Sequence, residues 1–209
     1  MIEVIPSINE ESFAGVTSKI KLVEPYVKWV HLDVADGTFT PVTLWHDYSN
    51  LIDFATTVKI EVHLMIADID GRFINWILPC VNRIIFHLEA SHDAEFVLSK
   101  IKKAGKEAGI AIIPETRPER AILYSKRADL IQALAVHPGP AGQVFLPETL
   151  EKIKHIRKEA PNCIIEVDGG LNLETGKACI EAGANVLVSA NYIFNAPDIK
   201  KAIEDLENL

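Results

Sequence analysis

Trp29-Val30-His31-Leu32-Asp33-Val34 and Ile60-Glu61-Val62-His63-Leu64-Met65-Ile66 are two apolar runs with ionisable side chains set into one parity. In an extended chain, residues i and i+2 share a face. Val30, Leu32 and Val34 therefore form one apolar face, and His31 and Asp33 stand on the other. The second run repeats the pattern, with Val62, Leu64 and Ile66 opposite Glu61, His63 and Met65. Farther on, Ile165 and Val167 oppose Glu166 and Asp168, Phe86 and Leu88 oppose His87 and Glu89, and Ser7 follows Ile5 on its own face. Burying ionisable groups is costly unless they are paired or bind a metal. Several strands that place histidine or carboxylate near their C-terminal ends point to a parallel barrel, because that end is where barrel enzymes work.

The same rhythm of apolar run, turn and amphipathic segment extends in both directions. Strands are expected at Ile2–Ile8, Trp29–Val34, Ile60–Ile66, Arg83–Glu89, Gly109–Ile113, Leu130–Val136, Ile164–Val167 and Val186–Ser189. Helices are expected at Ser12–Glu24, around Asp47–Ala55, from Asp70 to Leu78, and at Ala94–Lys103, Pro118–Ser125, Thr149–Glu159, Glu174–Ala182 and Pro197–Leu206. Eight such units in 209 residues predict one (β/α)8 TIM-barrel domain spanning residues 1–209. An open doubly wound sheet would carry a nucleotide fingerprint, and neither G-x-G-x-x-G after the first strand nor a Walker A loop is present.

A hydrophobic fraction of 48% is enough for a large core, and a net charge of −8 argues against a nucleic-acid or anionic-membrane surface. An anionic substrate would have to be met by local backbone N–H groups. The start, Met1-Ile2-Glu3-Val4, is unlike a signal peptide, and no stretch is apolar enough to span a bilayer, so a cytoplasmic protein is expected. Cys80, Cys163 and Cys179 match no disulfide framework or zinc ribbon and read as small buried hydrophobes.

A lone strand histidine is usually a hydrogen-bonded core residue; the joint pattern carries the weight here. Glu61, Glu89 and Glu166 read as structural groups that orient a histidine or bond backbone. His87 stays open between ligand and partner, and His46, His92, His137 and His155 fall in expected loops or helices. His31, Asp33, His63 and Asp168 form a mixed nitrogen and oxygen donor set suited to one divalent ion, Zn2+, Fe2+, Mn2+ or Co2+.

At this point the chain resembles the ribulose-phosphate 3-epimerase family. His31-Leu32-Asp33-Val34-Ala35-Asp36-Gly37-Thr38-Phe39-Thr40-Pro41 is similar to the family's H-x-D-x-M-D-G-x-F-x-P, and Glu61-Val62-His63-Leu64-Met65 to its D-V-H-L-M. Pro6-Ser7-Ile8, His87-Leu88-Glu89-Ala90, Pro114-Glu115-Thr116, His137-Pro138-Gly139-Pro140-Ala141-Gly142-Gln143 and Glu166-Val167-Asp168-Gly169-Gly170 follow in family order. The resemblance implies a ribulose-phosphate-binding barrel that interconverts D-ribulose 5-phosphate and D-xylulose 5-phosphate in the pentose phosphate pathway. It implies Asp33 and Asp168 as the proton-transfer pair, and a metal on His31, Asp33, His63 and Asp168. It further implies substrate contacts from Ser7 and His63, phosphate contacts from Gly139, Pro140, Ala141, Gly142, Gly169, Gly170, Ala190 and Asn191, and a homo-oligomer.

The chain also departs from the pattern. Pro140 replaces a phenylalanine and has no N–H to donate; Ala141 replaces a glycine, and Ala190-Asn191 stands for Gly-Ser. Ala35 and Leu134 replace methionines while Met65 keeps one, and Asn9 stands where leucine is usual. Epimerisation of another ketose phosphate, such as a hexulose 6-phosphate, and a non-catalytic sugar-phosphate-binding barrel are therefore the alternatives. A related lyase or decarboxylase would need a lysine near the chemistry, and none falls on the inner faces above.

Overall fold

The computed structural model describes residues 2–209, and each of the eight apolar runs becomes a parallel strand. They are β1 (Glu3–Ile8), β2 (Trp29–Ala35), β3 (Lys59–Met65), β4 (Val81–His87), β5 (Glu107–Ile112), β6 (Leu130–Leu134), β7 (Ile164–Asp168) and β8 (Val186–Ser189). They pair in chain order and β8 returns to β1, so the sheet closes. Closure removes the sheet's edges and leaves two surfaces: an outer one under the helices and a narrow interior.

The helices are α1 (Phe13–Val23), α2 (Ala94–Lys103), α3 (Pro118–Ile122), α4 (Thr149–Glu159), α5 (Leu173–Ala182), α6 (Asn191–Phe194) and α7 (Ile199–Glu207). Local chemistry sets their ends. Ser12 caps α1 by accepting from the Gly15 N–H, and Asn172 with Thr175 forms a capping box on α5. Gly183 ends α5 at φ 115°, a left-handed conformation open to glycine. None of the helices among the described residues is long and apolar enough to cross a membrane.

Two expected helices are not α-helices. The segment around Asp47–Ala55 makes only a 3-10 turn at Tyr48–Leu51, capped by Asp47. The segment from Asp70 to Leu78 breaks into 3-10 turns at Ile69–Gly71 and Phe73–Trp76. The Asp70 carboxylate is taken up by the Ser91 hydroxyl and by the N–H groups of His92 and Asp93. Ile69, Phe73 and Trp76 are all buried at the same time. These tertiary ties override helical spacing. Strand β4 ends at His87, so Glu89 sits in the following 3-10 turn (Leu88–Ala90), and β6 ends two residues before the expected Val136. Short α6 directly after β8 was not expected from the sequence.

Parity works as the sequence implies. Val30, Leu32, Val34, Val62 and Leu64 join the apolar layer beneath the helices. Inside the barrel, Ile5, Trp29, Val186 and Val188 pack together, as do Ile85, Ala111 and Leu130. In the same interior stand the buried polar side chains of His31, Glu61, Arg83, Gln132 and Glu166, with the Arg83 guanidinium 4.2 Å from the Trp29 ring centroid.

Gly109 faces inward on β5, where a Cβ would lie 2.9 Å from both Ile85 Cγ1 and Leu130 Cδ1. Gly109→Val is therefore expected to cost about 1–3 kcal/mol through overpacking. The check is a urea transition that shifts to lower midpoint at unchanged slope; an unmoved midpoint would mean that this interior gives way freely.

Candidate metal and substrate site

The C-terminal ends of β1, β2, β3 and β7 bring the singled-out side chains to one place. Parallel register sets Ser7 beside His31 and Asp33 beside His63. One donor atom from each of His31, Asp33, His63 and Asp168 lies within 4.8 Å of the others. His63 Nδ1 is 3.0 Å from Asp33 Oδ1 and 3.7 Å from Asp168 Oδ2. His31 Nε2 lies 3.3 Å from Asp33 Oδ1 and 3.9 Å from Asp168 Oδ2.

His31 is oriented from behind. Its Nδ1 is 2.7 Å from Glu61 Oε1, and the other Glu61 oxygen accepts from the Arg83 guanidinium. Glu166 is 4.0 Å from the same Nδ1, too far for a hydrogen bond; Glu61 is the residue that orients the ring. Among the described residues, fully buried His31 Nε2 has no hydrogen-bond partner. A buried imidazole nitrogen without a partner, facing two carboxylates, fits a divalent cation.

The two carboxylates are driven apart. Burial alone would raise Asp33, but His31 and His63 beside it outweigh burial and hold its pKa well below the usual carboxylate range. Its second oxygen accepts from Ser7 Oγ at 2.7 Å and from Asn9 Nδ2 at 3.3 Å. Asp168 is pushed up to about 7 by burial and by the Asp33 charge, with His31 opposing. Two carboxylates that differ in proton affinity at a shared site can serve acid–base chemistry. Burial, with His87 and His31 acting in the same direction, pushes His63 down to about 4 against the pull of Asp33. For His31 burial is overcome by Asp33 and Glu61, which hold it well above the ordinary histidine value.

A cavity of about 350 Å³ opens above this floor. Ser7, Asp33, His63 and Asp168 line its base, joined by Met65 and Leu134. Its wall comes from three loops: Gly139, Pro140, Ala141 and Gly142 after β6, Gly169 and Gly170 after β7, and Ala190 with Asn191 after β8. Gly170 has φ 67°, and a Cβ there would meet the Phe145 backbone nitrogen at 2.6 Å, so only glycine lets these two loops approach. Gln143 Nε2 donates to the carbonyls of His137 and Pro140 and staples the β6 loop upon itself. Ala35 is displaced from the cavity into a small cluster with Leu44 and Met65.

Sequence reasoning missed three polar residues. Asn9 was seen as a departure, yet its amide reaches the Asp33 carboxylate. Arg83 shares inward parity with His87, and Gln132 shares it with Leu134, a signal present in the sequence and unused. Glu166 pairs with Gln132 in register, and its pKa is raised well above the ordinary value by burial and by Glu61.

The model of the "Ribulose-phosphate 3 epimerase family" matches residues 3–194. The chain is 34% identical to the ribulose-phosphate 3-epimerase of Bacillus subtilis (strain 168), over 99% of this chain and 98% of the relative. It is 35% identical to the enzyme of that name from Chlamydia trachomatis, over 94% of this chain and 88% of the relative. The solved structure of 3-hexulose-6-phosphate synthase from Salmonella typhimurium shares the fold, at a TM-score of 0.74 and 14% identity, covering 99% of this chain and 97% of that one. With these matches spanning nearly its whole length, the chain belongs to the ribulose-phosphate 3-epimerase family.

Proposed function

We propose that this protein interconverts D-ribulose 5-phosphate and D-xylulose 5-phosphate by inverting the carbon next to the ketone. The observation that carries the reading is the geometry of Asp33 and Asp168, two carboxylates from strands β2 and β7 that meet beside two imidazoles at the floor of one cavity. Asp33 takes the proton from one face of the carbon, an enediolate forms, and Asp168 delivers a proton to the other face; the reverse reaction exchanges their roles. Ser7 and Asn9 hold one Asp33 oxygen in place during the transfer.

His31, Asp33, His63 and Asp168 would hold one divalent ion, Zn2+, Fe2+, Mn2+ or Co2+. Such an ion supplies Lewis-acid stabilisation to negative charge that develops on oxygen. The phosphate would rest on the backbone N–H groups of the loops after β6, β7 and β8, near the start of α6, a common arrangement in this fold. On this reading residues 1–209 are one catalytic domain that works in the cytoplasm as a homo-oligomer on a small-molecule sugar phosphate. A second reading, the same reaction on a hexulose 6-phosphate, is motivated by Leu134, which lines the cavity where the family pattern has a methionine. Lysine chemistry is not supported: buried Lys152 donates to the Ile113 and Pro114 carbonyls instead.

The deciding experiment is a coupled assay of ribulose 5-phosphate conversion with and without chelator, alongside Asp33→Asn and Asp168→Asn. Each substitution is expected to lower kcat about 10²–10⁴-fold, and chelation to abolish turnover until metal is restored. Full activity in either variant, or turnover of a hexulose 6-phosphate alone, would overturn the assignment. Because cation ligands must be free of protons, zinc affinity is expected to fall as pH drops through the Asp168 value of about 7. Calorimetry in buffers of different ionisation enthalpy should show proton release on binding. Finally, Pro140→Phe with Ala141→Gly should lower KM for the phosphorylated ketose, and an unchanged or raised KM would count against the phosphate role of this loop.

A further inference from the structure

His87 and Glu89 stand outside the donor set described above, yet they are joined to it by an unbroken row of contacts. His63 Nε2 lies 2.8 Å from His87 Nε2. The other nitrogen of His87, Nδ1, lies 3.3 Å from Glu89 Oε2. The His87 ring is fully buried and packs against Phe39 with centroids 4.6 Å apart, which restrains its rotation. Glu89 is held in turn: its other oxygen accepts from the Ile113 N–H at 3.3 Å.

A neutral imidazole carries one proton, so a hydrogen bond between two such nitrogens needs one donor and one acceptor. His63 Nδ1 is the atom that faces Asp33 and Asp168. If it is the nitrogen given to a cation, the proton of His63 must be on Nε2. His87 Nε2 must then accept, which puts the His87 proton on Nδ1, aimed at the Glu89 carboxylate, an acceptor only. That placement of hydrogens satisfies both contacts of the row and turns the His63 Nδ1 lone pair toward Asp33 Oδ1, 3.0 Å away, a contact between two acceptors that only a cation would then satisfy.

We propose that Glu89 and His87 are positioning residues that select the tautomer of His63, leaving its Nδ1 lone pair free for the metal. The inference rests on the metal reading above and extends it to two residues that belong neither to the donor set nor to the cavity lining. Carboxylate–histidine pairs that orient a metal ligand directly are familiar; here a second imidazole is inserted between the carboxylate and the ligand.

The test uses zinc alone as the probe, with affinity measured by competition against a chromophoric chelator and histidine tautomers read by nitrogen-15 NMR of the zinc-loaded protein. The unaltered protein should show His63 protonated at Nε2 and His87 at Nδ1. Glu89→Ala should weaken zinc binding about 10–100-fold and redistribute the His87 proton. Adding His87→Gln to Glu89→Ala should restore most of the affinity, because an amide oxygen accepts from His63 without needing Glu89. A purely structural role for Glu89 would show no such rescue. Folded Glu89→Ala with unchanged affinity and unchanged His87 signals would overturn the proposal while leaving the metal reading intact. Absence of zinc binding in the unaltered protein would overturn both, and would be seen before any variant is made.

Discussion

Keeping the Asp33 carboxylate charged inside a barrel is the constraint on which the rest of the arrangement depends. An isolated buried carboxylate would take up a proton. Here it is surrounded by Ser7, Asn9, His63 and His31, which come from β1, the residue just after it, β3 and β2 itself. Only parallel strands in this register bring those four groups to one point. The closed sheet is therefore a device for convergence as much as for burial.

The same demand passes down the barrel. His31 needs a partner on its far nitrogen, Glu61 supplies it, and Glu61 in turn needs Arg83, which is covered by the Trp29 ring. Removing one member of such a buried row strands the charge of its neighbour. Near the centre, Glu61, Glu166, Asp33 and Asp168 face one guanidinium and two imidazoles. The acidic excess, together with the unpartnered His31 nitrogen, gives a physical reason for a divalent cation at this depth independent of any likeness to relatives.

Much of this could be read in the sequence because parity in a strand is a hard rule. His31, Asp33, His63 and Asp168 interrupt apolar runs at the one spacing that places them inside. The two segments that failed as helices did so for reasons no local pattern carries: Asp70 is drawn to the turn that follows β4, twenty-one residues away in sequence. Arg83 and Gln132 were legible in principle, since they share parity with His87 and Leu134, but parity alone does not name a partner such as Glu61, which Arg83 meets inside. The loop wall of the cavity, proposed for the phosphate, was accessible only through resemblance. Glycines in three loops have no periodicity, and their meeting depends on tertiary approach such as that of Gly170 to Phe145.

The residues proposed for chemistry stand on strand ends locked by the sheet, whereas those proposed for anion binding stand on three loops. Pro140, Ala141 and Asn191 all fall in the second group. The fold thus splits one enzyme into two sets of positions that can vary on separate schedules. On that proposal, substitutions in the wall would alter the contacts offered to a phosphate ester without moving Asp33, Asp168 or either imidazole. On the same proposal, such a barrel could vary what it holds while the groups that do its chemistry stay in place.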